Sequence, residues 1–209
     1  AKATMRPFAW SQKKPRAIVE YKDTTQAQMM LGFPGVSHTH RDNEALILLS
    51  VIVGGTMSSR LFINIRERKG LAYDVRSSSE SFEDTGYFGV RLSLDKNRVQ
   101  EALTAIKFEL AKVKREGVTR AELKRAKDNI RGRLILRFEK PSSYLSYLMS
   151  QQLLTDHIVD LEQKLSKFDE VTLDHVNRVA RRIVNWKQLN LALIGPFKQV
   201  RTFLRSVTN

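Results

Sequence analysis

The stretch "LAYDVRSSSESFEDTGYFGVRLSLD", Leu71 to Asp95, decides the fold. Its two arms, Leu71–Phe82 and Gly86–Asp95, alternate apolar and polar residues with the period of a half-buried strand. "EDTG", Glu83 to Gly86, supplies the turn between them, so the spacing predicts a long antiparallel hairpin. Upstream, "RAIVEYK" and "QAQMMLGFPG" have strand character on either side of the polar "DTT", Asp23 to Thr25, and Pro34-Gly35 marks the next turn. Asp42 is placed to cap a helix with a wide apolar face of Ala45, Leu46, Leu48, Leu49, Ile52 and Val53, ended by Gly54-Gly55. A second helix from Met57 sets Leu61, Phe62 and Ile65 on one side and stops at Gly70.

Downstream of the hairpin the pattern turns helical. Asn97 to Arg115 is amphipathic and closes at Glu116-Gly117. "TRAE", Thr119 to Glu122, is a capping box that opens a long helix toward Phe138. Pro141 breaks it, and a further helix runs through Leu154. "DLEQKLSKF" and "TLDHVNRVARRIV" read as short helices, "LNLALIG" as a late strand, and Pro196 onward as a terminal helix. Neighbouring strands pair antiparallel, and the late strand must rejoin the sheet from the far side. The expectation is therefore α+β, a single mostly antiparallel sheet with helices packed on one face. Residues 1–15, rich in Pro, Lys and isolated aromatics, read as a linker or arm, and 16–209 as one domain.

Composition narrows the function classes. Hydrophobic residues make up 42% and charged residues 28%, a globular balance. The longest apolar run, Ala45 to Val53, is too short to span a bilayer, so no membrane role is expected. Without cysteine there is neither a disulfide nor a thiolate metal site. Cytoplasmic residence is the default expectation, or the mitochondrial matrix for a eukaryotic source. The formal charge of +14 calls for an anionic partner or a basic solvated surface. Eleven Lys/Arg face four Asp/Glu between Lys112 and Lys140, on helical pattern without interleaved aromatics, so a solvated face is expected over a nucleic-acid groove.

Catalytic motifs are missing. Among His38, His40, His157 and His175 there is no H-x-x-H, H-E-x-x-H or H-x-x-E-H. His38 and His40 flank Thr39 in a polar loop near Asp42 and Glu44, where alternate residues could share a metal, although a solvent-exposed loop is the plainer reading. Gly54-Gly55 with Ser58 and Ser59 resemble a phosphate loop only superficially, and no base stands beside either serine.

The run Val51 to Val90 carries a family resemblance. Gly54-Gly55-Thr56-Met57-Ser58-Ser59-Arg60-Leu61-Phe62 is close to the pattern G-G-G-M-S-S-R-L-F. "RERKGLAY", Arg66 to Tyr73, and Asp84-Thr85-Gly86-Tyr87-Phe88 follow in order. Together these blocks resemble the second half-domain of the insulinase/pitrilysin-type zinc peptidases, which include the mitochondrial processing peptidases. Similarity continues through "EGVTRAELKRAKDNIRGRL", "SSYLSYLMSQQLLT" and "VTLDHVNRVARRIV", so it spans about Ala17 to Pro196. Thr56 departs from the family's third glycine.

The resemblance implies a C-terminal half-domain of a metalloendopeptidase that cleaves extended or unfolded peptides. Zinc would be held by H-x-x-E-H in an N-terminal half or a homologous subunit and not by this chain, which alone would be inactive. Arg66 and Tyr73 match the family's Arg/Tyr pair, which grips the substrate carbonyl and the developing oxyanion. Gly54 and Gly55 would belong to a substrate-binding loop. The plain alternative for the pair is an Arg at a helix C-terminus and a Tyr starting a strand. The linker-like start makes an excised fragment of a longer chain the expectation, with a natural single-half subunit as the alternative and a homodimer among the partners to be considered. Two other functions compete: a non-catalytic scaffold on the same fold, and an anion- or nucleic-acid-binding module that uses the basic helices.

Overall fold

In the computed structural model, which describes residues 8–198 and Phe203, the period-two stretches form one five-stranded sheet. The strands are β1 (Arg16–Tyr21), β2 (Gln26–Pro34), β3 (Asp74–Ser81), β4 (Gly86–Asp95) and β5 (Asn190–Gly195), in the order β1-β5-β2-β4-β3. The hairpin pairs as expected, with Ser81 opposite Gly86. The contacts of β1 and β2 differ from the sequence expectation. These sequence neighbours do not pair, because β5 lies between them, parallel to β1 and antiparallel to β2. A strand shielded on both edges by main-chain partners needs no polar edge, which suits the apolar "LALI" of β5.

Alternation decides which face is covered. Ala27, Met29, Leu31 and Phe33 of β2 and Phe88, Val90, Leu92 and Leu94 of β4 are buried under helices. Their alternates Gln28 and Arg91 are exposed. The helices on that side are α1 (Asn43–Ser50), α2 (Val99–Glu116), α3 (Arg120–Phe138), α5 (Leu161–Asp169) and α6 (Leu173–Ile183), while α4 (Pro141–Thr155) packs on α3 and buries none of its own residues. Each Leu or Phe so buried contributes about 1.5–3 kcal/mol. The sheet's other face is left open.

Two local readings are corrected. Asp42 precedes α1, but its side chain makes no capping bond; the carboxylate is drawn instead to α6. The helical run of α1 ends at Gly54-Gly55 as expected, its last stretch, Val51–Gly55, widening into a π turn. Pro141 occupies the first turn of α4 rather than a gap, where its missing N–H costs nothing. The capping box at Thr119/Glu122 forms in full. Residues 8–15 lie along the sheet: the Gln12 amide donates to the Leu189 carbonyl and its oxygen accepts from Asn190. The terminal helix expected from Pro196 falls almost wholly outside the described residues, although Phe203 packs edge-on to Phe197 at 5.2 Å. No helix among the described residues is long and apolar enough to cross a membrane.

Candidate functional site

The corner between Arg66 and Tyr73 is built by the backbone. Phe62–Glu67 is a short π-helical segment, and Gly70 reverses it at φ 57, a left-handed conformation that favours glycine. The Gly70 N–H donates to the Arg66 carbonyl at 3.1 Å and the Leu71 N–H to the Ile65 carbonyl at 2.8 Å. Tyr73 then enters the sheet by donating to the Ser93 carbonyl at 2.8 Å. Arg98 clamps the outside, its Nη1 donating to the Gly70 carbonyl at 2.9 Å. Leu71 and Ala72 are buried beneath. The corner is thus fixed at both ends, while Arg66 and Tyr73 stand in solvent.

Arg66 lies over the Phe62 ring, its Cζ 4.8 Å from the centroid. It lines a cavity of about 790 Å³ over the open face of β3 and β4. Gly54 and Gly55 line the same cavity, so three of the four expected site residues share one space. Tyr73 is not among the lining residues, although its neighbours Asp74 and Val75 are. Gly54 also has a packing role. A Cβ there would come 2.6 Å from the Ser77 backbone nitrogen. Only a residue without a side chain lets α1's last turn lie on β3 this closely.

The same cavity holds Arg76, Arg91 and Arg133, none of which was singled out from the sequence. Arg133 projects from α3 and donates from Nη2 to the Gly55 carbonyl at 2.7 Å. Helix α3 is positioned by Arg60, which forms a two-point contact with Glu122 at 2.6 and 2.8 Å and also donates to the Gly117 carbonyl. Burial pushes the Glu122 carboxyl up, but the Arg60 and Thr119 hydrogen bonds prevail and bring it down to about 2. A second, mainly apolar trough of about 520 Å³ shares Met30 and Tyr87 with the first and continues over Ile18 and Ala192. The two adjoin on the open sheet face, with Met30 and Tyr87 at their common border.

All four histidines line another cavity, on the helical side, of about 730 Å³. Sequence spacing could not bring His157 and His175 there. They are not gathered as ligands. His175 Nε2 bonds Asp42 at 2.7 Å and His38 Nδ1 bonds the Phe82 carbonyl at 2.8 Å. Asp42 is buried and also meets Arg182 at 2.7 Å. Burial raises its pKa, but the His175 bond and the Arg182 charge outweigh this and leave it lowered. Among the described residues no group of three or more His, Asp or Glu is arranged to hold a metal ion.

The open-faced α+β sheet and the "RERKGLAY" corner are features of a half-domain, and comparison with known proteins identifies which kind. Residues 1–130 match the peptidase M16 inactive domain, and the chain belongs to that family. It is 37% identical over 179 residues to the uncharacterized zinc protease YmxG of Bacillus subtilis, which covers 86% of this chain and 44% of that protein. An uncharacterized zinc protease of Mycobacterium leprae is 35% identical over 195 residues, 92% of this chain and 43% of its own length. Among solved structures, a peptidase M16 inactive domain from Pseudomonas fluorescens superposes with TM-score 0.83 at 22% identity, over 95% of this chain and 47% of that one. A protease from Helicobacter pylori also gives 0.83, at 24% identity, over 94% and 48%. The chain spans about half the length of the curated relatives it matches.

Proposed function

We propose that this chain is the substrate-gripping half of a zinc endopeptidase that cuts extended peptides, with the metal held by a zinc-bearing half or subunit. The observation that carries this reading is the state of Arg66 and Tyr73. Both are exposed beside the open groove, on a corner held rigid by backbone bonds, and neither side chain has a hydrogen-bond acceptor among the described residues. Preorganised donors with unspent capacity suit a peptide carbonyl whose oxygen gains charge during cleavage. The groove offers an extended peptide an apolar stretch over Met30 and Ile18 and a polar one over β3. Among the described residues no three His, Asp or Glu are grouped to hold a zinc ion, and in this reading the chain's part is to bind and orient.

Mixing the chain with a zinc-bearing half-domain and following a quenched fluorescent peptide tests the reading. Neither component alone should cleave, and the mixture should. Arg66→Ala should lower kcat/KM about a hundredfold and Tyr73→Phe about tenfold. Cleavage restored to the same rate by the Arg66→Ala chain would remove that residue from the mechanism.

A further inference from the structure

Arg76 and Arg91 are direct cross-strand partners in the β3–β4 pair, and both point to the open face. Like charges placed opposite each other on one face of a sheet are unfavourable. Arg76 has one partial remedy, an exposed contact to Asp74 at 3.1 Å. Arg91 has no ion pair among the described residues, and its other cross-strand neighbour is Met30. Two further guanidiniums, from Arg66 and Arg133, face the same cavity, against the carboxylates of Asp74 and Glu80 alone. Four elements that meet only in the folded chain therefore aim cations at one space. A local rule broken with only partial internal compensation marks a site where something outside the chain supplies the rest of the balance.

We infer that this arginine cluster is a subsite for the side-chain carboxylates of an acidic peptide segment, adjoining the apolar part of the groove. This deepens the peptide-gripping reading above and rests on it. Planar guanidinium forks match carboxylates in two-point fashion, and the neighbouring trough over Ile18, Ala192 and Met30 suits apolar residues next to the acidic ones. The preferred ligand is an extended chain with Asp or Glu at one end of the bound stretch and apolar residues at the other.

The test is fluorescence anisotropy on the 209-residue chain with three short N-acetylated peptides. One carries a Glu pair and is C-amidated, one carries Gln in place of Glu and is C-amidated, and one is the Gln peptide with a free C-terminal carboxylate. At low salt the Glu peptide should bind about tenfold tighter than the amidated Gln peptide. In Arg76→Gln/Arg91→Gln that preference should shrink to less than about twofold. The double variant should melt no lower than the parent, because the repulsion is relieved, so loss of preference is not loss of fold. Equal binding of all three peptides overturns the subsite and leaves the groove reading standing. Preference only for the free C-terminus overturns the side-chain assignment. No binding of any peptide overturns both readings.

Discussion

At Gly54 a single methyl group has a definite cost. Ser77, against which it would press, uses its hydroxyl to donate to the Ser50 carbonyl at 2.6 Å, so neither neighbour can retreat freely. Gly54→Ala should destabilise the chain by about 2–3 kcal/mol in urea unfolding. At Gly55 the nearest atoms stand at 3.4 Å, and the same change there should cost under about 1 kcal/mol. Equal losses at the two positions would contradict the close approach of α1 to β3. This contrast was not legible in the sequence, where Gly54-Gly55 read as a pair with one shared function. The Arg76–Arg91 juxtaposition was closer to hand. The turn that sets Ser81 against Gly86 also fixes every earlier pair on the hairpin, and counting back along both arms reaches the two arginines. Arg133 left no such signal, because its reach to Gly55 depends on how α3 lies across the sheet.

Among the elements, α3 and α6 are tied down by charge. Glu122 ionises at about 2 in the fold, below its usual 4.5, so the native state holds its proton less readily than the unfolded chain. Its contribution is therefore complete above pH of about 4.5 and lost as pH falls toward about 2. After allowance for solvent screening this is worth roughly 2 kcal/mol. Glu122→Gln should flatten the melting temperature across that acid range, and an unchanged slope would place the effect elsewhere. Asp42 ties α6 to the start of α1, with its carboxylate buried among His175 and Arg182. Asp42→Ala removes the shared acceptor of His175 and Arg182 and should cost about 1–3 kcal/mol by denaturant titration. Helix α4 is the opposite case. It contains no buried residue, and Leu145, Met149 and Leu153 are exposed. Its amides should exchange with deuterium faster than those of α1 or α6. The helices were legible because caps and periodicity are local, and the capping box at Thr119 is an instance. The Asp42–His175 tie was not, because its partners stand 133 residues apart.

Over the whole molecule, 36 Lys/Arg stand against 22 Asp/Glu; internal pairs such as Lys124 with Asp128, Arg131 with Asp169 and Lys164 with Glu44 use acids and bases equally and leave the excess of +14 untouched. The guanidiniums of the open face are the less balanced remainder, so binding of acidic peptides should weaken with added salt while that of uncharged ones changes little. Fold class and family could be read before any coordinates, because hairpin, helices and motif blocks are contiguous. Strand order could not, since it depends on the last strand. Arg16 pairs with Asn190, and β1 has no other neighbour in the sheet among the described residues. β1 leaves the ribosome well before β5, and the whole stretch between Tyr21 and Asn190 must be made before β5 can slot in beside it. Until then β1 has no main-chain partner and β2 has one bare flank. Formation of this sheet is consequently gated by β5, and a nascent chain halted short of Asn190 would expose two unzipped strands to chaperones or to aggregation.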